Sequence, residues 1–219
     1  MTKYKYVCFD MDGTLLETHL DIAASMNNVL KTYGLPEIPA EIQRGFRHYR
    51  LKPFVADVME YIHEPSVDMA IKVYDAHCAN YENFMLKKGK PFDGIKEVLS
   101  YLKHDKRVIS VLTGKPTRFA ETELAHWLPH FKPAFIHGAD TGEIKKPRKE
   151  FLDPFLEYFQ HPDLSDIVYI GDTINDYWFA QNAGIDFIAA EWGYDAGEEM
   201  KRTYGIKICE KPIELIDLI

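Results

Sequence analysis

The sequence predicts an α/β fold: a doubly wound parallel sheet with helices on both faces and an all-helical domain inserted into it. Three observations carry this expectation. Short apolar runs rich in β-branched and aromatic residues alternate with segments of helical periodicity. One long stretch, residues 18–90, has helical periodicity throughout and no convincing strand. Carboxylates, hydroxyls and ammonium groups cluster just beyond the apolar runs or just before a helix, where an open α/β sheet holds its ligand.

Taken in order, Tyr4–Phe9 reads as a buried strand that runs into "DMDGT". Asp10 and Asp12 stand two positions apart and repel each other, so a divalent cation, a proton kept on one of them, or exposure to water must offset the repulsion. From Thr18 the pattern becomes helical in "THLDIAASMNNVLKTYG", "PFVADVMEYIH" and "SVDMAIKVYDAHCANYENFMLKK". This insert ends at "KGKPFDG", where Gly89 and Pro91 supply turn chemistry and a hinge. The expected division is therefore 1–17 with 91–219 for the α/β core and 18–90 for the helical domain.

Alternation then resumes. A helix from Gly94 precedes the strand Arg107–Leu112, which leads into Thr113 and Gly114; a helix from Pro116 precedes the strand Ala134–His137. Lys145 and Lys146 stand before a helical segment from Pro147, and the strand Asp166–Ile170 leads to Asp172 and Asp176. A further helix and strand follow in "NDYWFAQNAGIDFIAAEWG", and the tail from Lys211 reads as a last short helix.

Bulk properties narrow the function. A chain of 219 residues with 46% hydrophobic content suits a folded enzyme. Its net charge of -8 argues against a general nucleic-acid or anionic-membrane surface. The N-terminal apolar run is too short for a signal peptide, and nothing reaches the ~18 apolar residues of a membrane span, so a cytoplasmic protein is expected. Cys8, Cys78 and Cys209 are far apart, with no CxxC pair, and Cys8 reads as a small core residue. His19, His48, His126 and His137 lack paired ligand spacing and read as structural or surface residues.

Two carboxylate pairs, a hydroxyl and an ammonium converging on one crevice suit phosphate chemistry. A phosphate monoester repels a carboxylate nucleophile, so a hard cation such as Mg²⁺ is expected, with negative oxygen from Asp172 and Asp176 and a charged Asp10, while Asp12 stays neutral until it is needed. Lys146 is preferred over Lys145 for stabilising phosphoryl oxygens, which Thr113 Oγ and the neighbouring backbone N–H groups, including that of Gly114, would hold. One carboxylate of the first pair can then attack phosphorus while the other supplies the leaving group's proton.

"FDMDGTLLE", "VLTGKP", "KKP" and "GDTIND", in this order, resemble the haloacid dehalogenase superfamily, and within it the phosphatases with a helical cap after the first motif. The resemblance implies a Rossmann-like core, Asp10 as nucleophile, Asp12 as general acid/base, Thr113 and Lys146 as phosphate-binding residues, and Mg²⁺ held by Asp10, the Asp12 backbone carbonyl and Asp172, with Asp176 close behind. The second Asp of the first motif, which true dehalogenases lack, implies phosphoryl transfer. "LETHLDIAASMNNVLKTYGLP" and "PFDGIKEVLSYLK" are similar to the phosphoglycolate phosphatase-like branch.

The basic run "RGFRHYRLK", with Arg44, Arg47, His48, Arg50 and Lys52, is either a solvated face or a grip on a second anionic group of the substrate. The expected function is a Mg²⁺-dependent phosphatase of a small phosphorylated metabolite, 2-phosphoglycolate being the first named candidate, working as a monomer or homodimer without nucleic-acid or membrane partners. A phosphomutase, a pyrophosphatase or nucleotidase, and a non-catalytic phospho-ligand binding protein are the alternatives.

Overall fold

The strand β1 (Tyr6–Phe9) is buried along its whole length and lies at the centre of a six-stranded sheet, so its two sets of alternate side chains meet two different cores. In the computed structural model, which describes residues 3–46, 51–140, 144–194 and 206–219, the chain divides into two compact units, Met1–Glu17 with Pro91–Ile219 and Thr18–Lys90.

In the first unit β1 is flanked by β4 (Val108–Thr113) and β6 (Ile167–Gly171), with β5 (Phe135–Gly138) outside β4 and β7 (Asp186–Ala190) and β8 (Lys207–Cys209) outside β6. All the pairings are parallel. The chain moves outward from β1 on one side and then returns to its other side, which creates a switch point at the carboxyl ends of β1, β4 and β6. Phe9 is in register with Val111 and Ile170, so Asp10 stands level with Leu112 and Gly171, and Thr113 and Asp172 follow one residue further on.

Helices α5 (Ile95–His104) and α6 (Thr117–Trp127) cover the face to which Val7 and Phe9 point, joined by α9 (Leu215–Leu218). Helices α7 (Asp153–Tyr158) and α8 (Ile174–Ala183) cover the other, with Tyr6 and Cys8. Each face of the sheet is thus buried, which is why its strands read as continuous apolar runs. Short strands β2 (Leu16–Glu17) and β3 (Lys90–Pro91) pair where the chain passes between the two units.

The second unit contains α1 (His19–Thr32), α2 (Ala40–Arg44), α3 (Leu51–Tyr61) and α4 (Val67–Asn80). Met26, Val29 and Leu30 of α1 pack with Phe54 and Val58 of α3 and Val73 of α4. A polar network holds the link after α1: Asn27 Nδ2 donates to Ile38 O at 2.8 Å and Asn27 Oδ1 accepts from Ile38 N at 2.9 Å and from Gln43 Nε2 at 3.0 Å. At the unit's exit, the Asp21 carboxylate accepts from the backbone N–H groups of Lys87, Lys88 and Gly89 at 3.2, 2.8 and 3.1 Å.

Some local expectations need correction. The strand ends lie one or two residues from the expected ones. The helix expected from Pro147 is a 3₁₀ turn (Lys149–Leu152) followed by α7, because Pro154 lacks an N–H and is tolerated only in a helix's first turn. Arg44 ends a short helix, α2, and β8 escapes the sequence pattern because three residues carry little periodicity.

Candidate active site

Asp10 directly follows β1, Thr113 ends β4, and Asp172 directly follows β6, so strand ends alone bring these three residues to the crevice. Asp176 sits in the first turn of α8, where it completes a capping box with Thr173: Thr173 N and Oγ1 donate to Asp176 Oδ2 at 3.1 and 2.6 Å, and Asp176 N donates to Thr173 Oγ1. One carboxylate therefore ends the strand-to-helix turn and also reaches the site.

Lys146 joins the strand ends. It is 5% exposed, and its Nζ donates to Asp10 Oδ1 at 3.0 Å, Asp176 Oδ1 at 2.5 Å and Tyr169 Oη at 2.8 Å. Tyr169 Oη in turn donates to Leu112 O at 2.8 Å, tying the ammonium to the end of β4. Lys145, its neighbour, is only partly buried. Of the two lysines, then, Lys146 is the one turned into the site.

Asp172 is fully buried, accepting from Thr14 Oγ1 at 3.0 Å on Oδ1 and from Tyr194 N at 2.8 Å on Oδ2. Two glycines make its place. A Cβ on Gly13, whose φ is +84°, would stand 2.1 Å from Asp172 Oδ2, and a Cβ on Gly193 would stand 2.1 Å from Asp172 Cβ. Trp192 Nε1 donates to Thr14 O at 3.0 Å and fastens that loop against the first motif.

Ligand oxygens of Asp10, Asp172 and Asp176 all lie within 4.8 Å of one another. The Asp10 carboxyl is pushed up to about 7, chiefly by burial and also by Asp176 and Asp12, against the opposing pull of Lys146. Burial, with Asp176 and Asp10, also holds Asp172 well above the ordinary carboxylate range. Lys146 loses by burial but gains more from Asp10 and Asp176, and its ammonium is held charged. Three buried carboxyl groups meet only one ammonium, and the upward shifts of Asp10 and Asp172 record the repulsion among them that a cation would relieve. An all-oxygen donor set of that kind fits a hard divalent cation. Among the described residues no other group of His, Cys, Asp or Glu side chains has this arrangement, and Asp176 is the most committed of the three to protein partners.

A model of the haloacid dehalogenase-like hydrolases matches residues 7–190, which includes Asp10, Thr113, Lys146, Asp172 and Asp176. The chain belongs to this family. Its relatives include the N-acetylmuramic acid 6-phosphate phosphatase of Pseudomonas aeruginosa, 29% identical over 99% of this chain and 95% of the relative. They also include the phosphoglycolate phosphatase of Caulobacter vibrioides, 31% identical over 91% of this chain and 83% of the relative. A solved structure from Lactobacillus delbrueckii subsp. bulgaricus shares the fold with a TM-score of 0.91 at 22% identity, covering 100% of this chain and 99% of the other.

Within this family framework, Asp12 lies apart from the three-carboxylate group. Its Oδ1 is 2.9 Å from Lys115 Nζ, and the same ammonium donates to Glu123 Oε2 at 2.5 Å. Glu123 is fully buried in α6, and Lys115 is 8% exposed. Sequence reasoning missed both, although Lys115 lies inside "VLTGKP"; Glu123 left no signal, since a buried Glu in an amphipathic helix reads like any polar position. Thr113 Oγ1 accepts from Lys115 N at 3.2 Å, and Gly114 is exposed beside it. In the sequence Tyr169 reads only as part of the apolar strand Asp166–Ile170. Arg44 lies in the second unit, and Arg47, His48 and Arg50 fall outside the described residues. No helix among the described residues is long and apolar enough to cross a membrane.

Proposed function

We propose that the chain is a phosphatase that hydrolyses the phosphate monoester of a small hydroxy acid through an aspartyl-phosphate on Asp10. The supporting observation is the meeting of Asp10, Asp172 and Asp176 around Lys146 at the ends of three strands. In this reading Asp10 Oδ attacks phosphorus as the ester P–O bond breaks, and Asp12 gives its proton to the leaving alkoxide. Asp12 then takes a proton from water, whose oxygen attacks phosphorus; the P–O bond to Asp10 breaks, and inorganic phosphate and the free carboxylate are regenerated.

Lys146 and Thr113 bind and orient the phosphoryl oxygens, with the N–H of Gly114 beside them. Asp10, Asp172 and the Asp12 backbone carbonyl would hold Mg²⁺, backed by Asp176, and the ion would supply positive charge against the repulsion between dianion and carboxylate. Lys115, anchored on Glu123, sets the position of the Asp12 carboxylate.

The hydroxy-acid class rests on the two named relatives, whose substrates each combine a phosphate ester with a carboxylic acid. 2-Phosphoglycolate is the first candidate, with sugar-acid phosphates next. The test is a phosphate-release screen of purified protein on phosphorylated metabolites, with Mg²⁺ and with chelator, together with trapping of labelled phosphate on the chain. Release should require the metal, Asp10→Asn should abolish both turnover and label, and Asp12→Asn should slow alkyl esters by ~10² to 10⁴-fold. Label on another residue, or full activity in chelator, would refute the mechanism.

A further inference from the structure

A cavity of about 540 Å³ opens in the core unit away from the carboxylate site. Along α5, Lys96, Leu99, Ser100 and Lys103 line it at the spacing of one helical face. Ile109 near the start of β4, with Leu128 and Phe131 beyond α6, extends its apolar surface, and His130 and Lys132 also line it. Ile109 and Thr113 are four residues apart on β4, ~13 Å along an extended strand. The cavity therefore lies toward the amino end of the sheet, opposite the phosphate chemistry.

Two independent features point to an anion. Lys96, Lys103 and Lys132 gather around one apolar floor in a chain whose net charge is -8, so this is a local concentration of positive charge against the protein's overall balance. The second feature is Arg107, which also lines the cavity. Its side chain is 5% exposed; Nε donates to Asp105 Oδ2 at 2.7 Å and Nη2 to Ile219 O at 3.4 Å, but Nη1 is buried with no hydrogen-bond partner. A buried guanidinium nitrogen left unpaired is costly, and a carboxylate or phosphate oxygen is its natural acceptor.

We propose that this cavity binds a small amphipathic organic anion, a carboxylate or phosphate on a hydrocarbon or aromatic body, at a site separate from the catalytic centre. The anionic end meets Arg107 and the lysines, and the body lies on Leu99, Ile109, Leu128 and Phe131. Neither a bare inorganic anion nor a neutral apolar molecule satisfies both halves of the lining.

The experiment titrates the full ¹⁵N-labelled chain, in chelator, with 4-phenylbutyrate, with phenylphosphonate and with the neutral 4-phenylbutan-1-ol. At least one anion should shift the amides of 96–103 and 128–134 saturably, and which one does so identifies the preferred head group. The alcohol should bind at least ~10-fold more weakly, as should the anion to Lys103→Gln/Lys132→Gln, whose melting temperature should stay near that of the parent. Absence of saturable shifts in these segments with both anions, equal binding of the alcohol, or undiminished binding to the variant would overturn the proposal.

Discussion

In the proposed function, Lys115 and Glu123 make the acid/base carboxylate of Asp12 depend on a buried ion pair behind it. Glu123 is fully buried and its charge is met by Lys115 Nζ at 2.5 Å, the same nitrogen that stands 2.9 Å from Asp12 Oδ1. Lys115→Met would leave Glu123 buried without that ammonium and should destabilise the fold by ~3–5 kcal/mol. Combining Lys115→Met with Glu123→Leu should restore most of that stability, since an apolar pair of similar volume removes the uncompensated charge. Activity should not return with it, because Asp12 would still lack its anchor. Denaturant titrations of both single variants and the double variant test the first half, and kcat on an alkyl phosphate tests the second. Additive stability losses, or recovery of turnover in the double variant, would count against this arrangement. Of these residues only Asp12 announced itself in the sequence, because a carboxylate two places after another is conspicuous where a buried Lys–Glu pair eight residues apart is not.

Elements place these residues more reliably than their own chemistry does. The "GDTIND" segment is a strand end, a turn and a helix start, and the capping box made by Thr173 and Asp176 brings Asp176 back beside Lys146. On β5, His137 carries no such role: its ring packs on Phe151 at 4.5 Å and on Phe135 at 6.3 Å. Burial lowers its pKa, and the Asp140 carboxylate opposes this only in part. The unfolded chain takes up this proton near pH ~6.5, whereas the folded ring resists it. Stability should therefore be intact above that pH and decline as the pH falls through it, until the folded ring also protonates. His137→Phe should flatten this part of the profile, measured as denaturation midpoints between pH 7.5 and 5.5. An unchanged slope would place the pH dependence elsewhere.

Across the whole molecule, the proposed function has the strand ends of the core bind what every phosphate ester has in common, so they cannot choose among leaving groups. In the proposed function that choice belongs to residues 18–90, with the basic run Arg44, Arg47, His48 and Arg50 as candidates to meet the substrate's carboxylate. A charge-assisted hydrogen bond contributes ~1.5–3 kcal/mol. Alanine at the residue that makes it should lower kcat/KM for a hydroxy-acid phosphate by ~10 to 150-fold, with little effect on an aryl phosphate lacking the carboxylate. Single alanine variants assayed on both substrates decide this. Equal effects on both, or none on either, would make the run a solvated surface.

The sequence by itself determined the α/β class, because burial of both sheet faces writes each strand as a short apolar run and each covering helix as a three-and-four repeat. It also singled out Asp10, Thr113, Lys146, Asp172 and Asp176, since polar residues next to such runs stand out against them. Only the tertiary structure decided that Lys146 Nζ lies 3.0 Å from Asp10, that Lys115 bridges Asp12 to Glu123, and that Arg107 lines a cavity with an unpaired nitrogen. Those facts join residues up to 136 positions apart. They depend on the order in which parallel strands assemble and on which side chains then share a buried volume, and no local pattern of the chain records either.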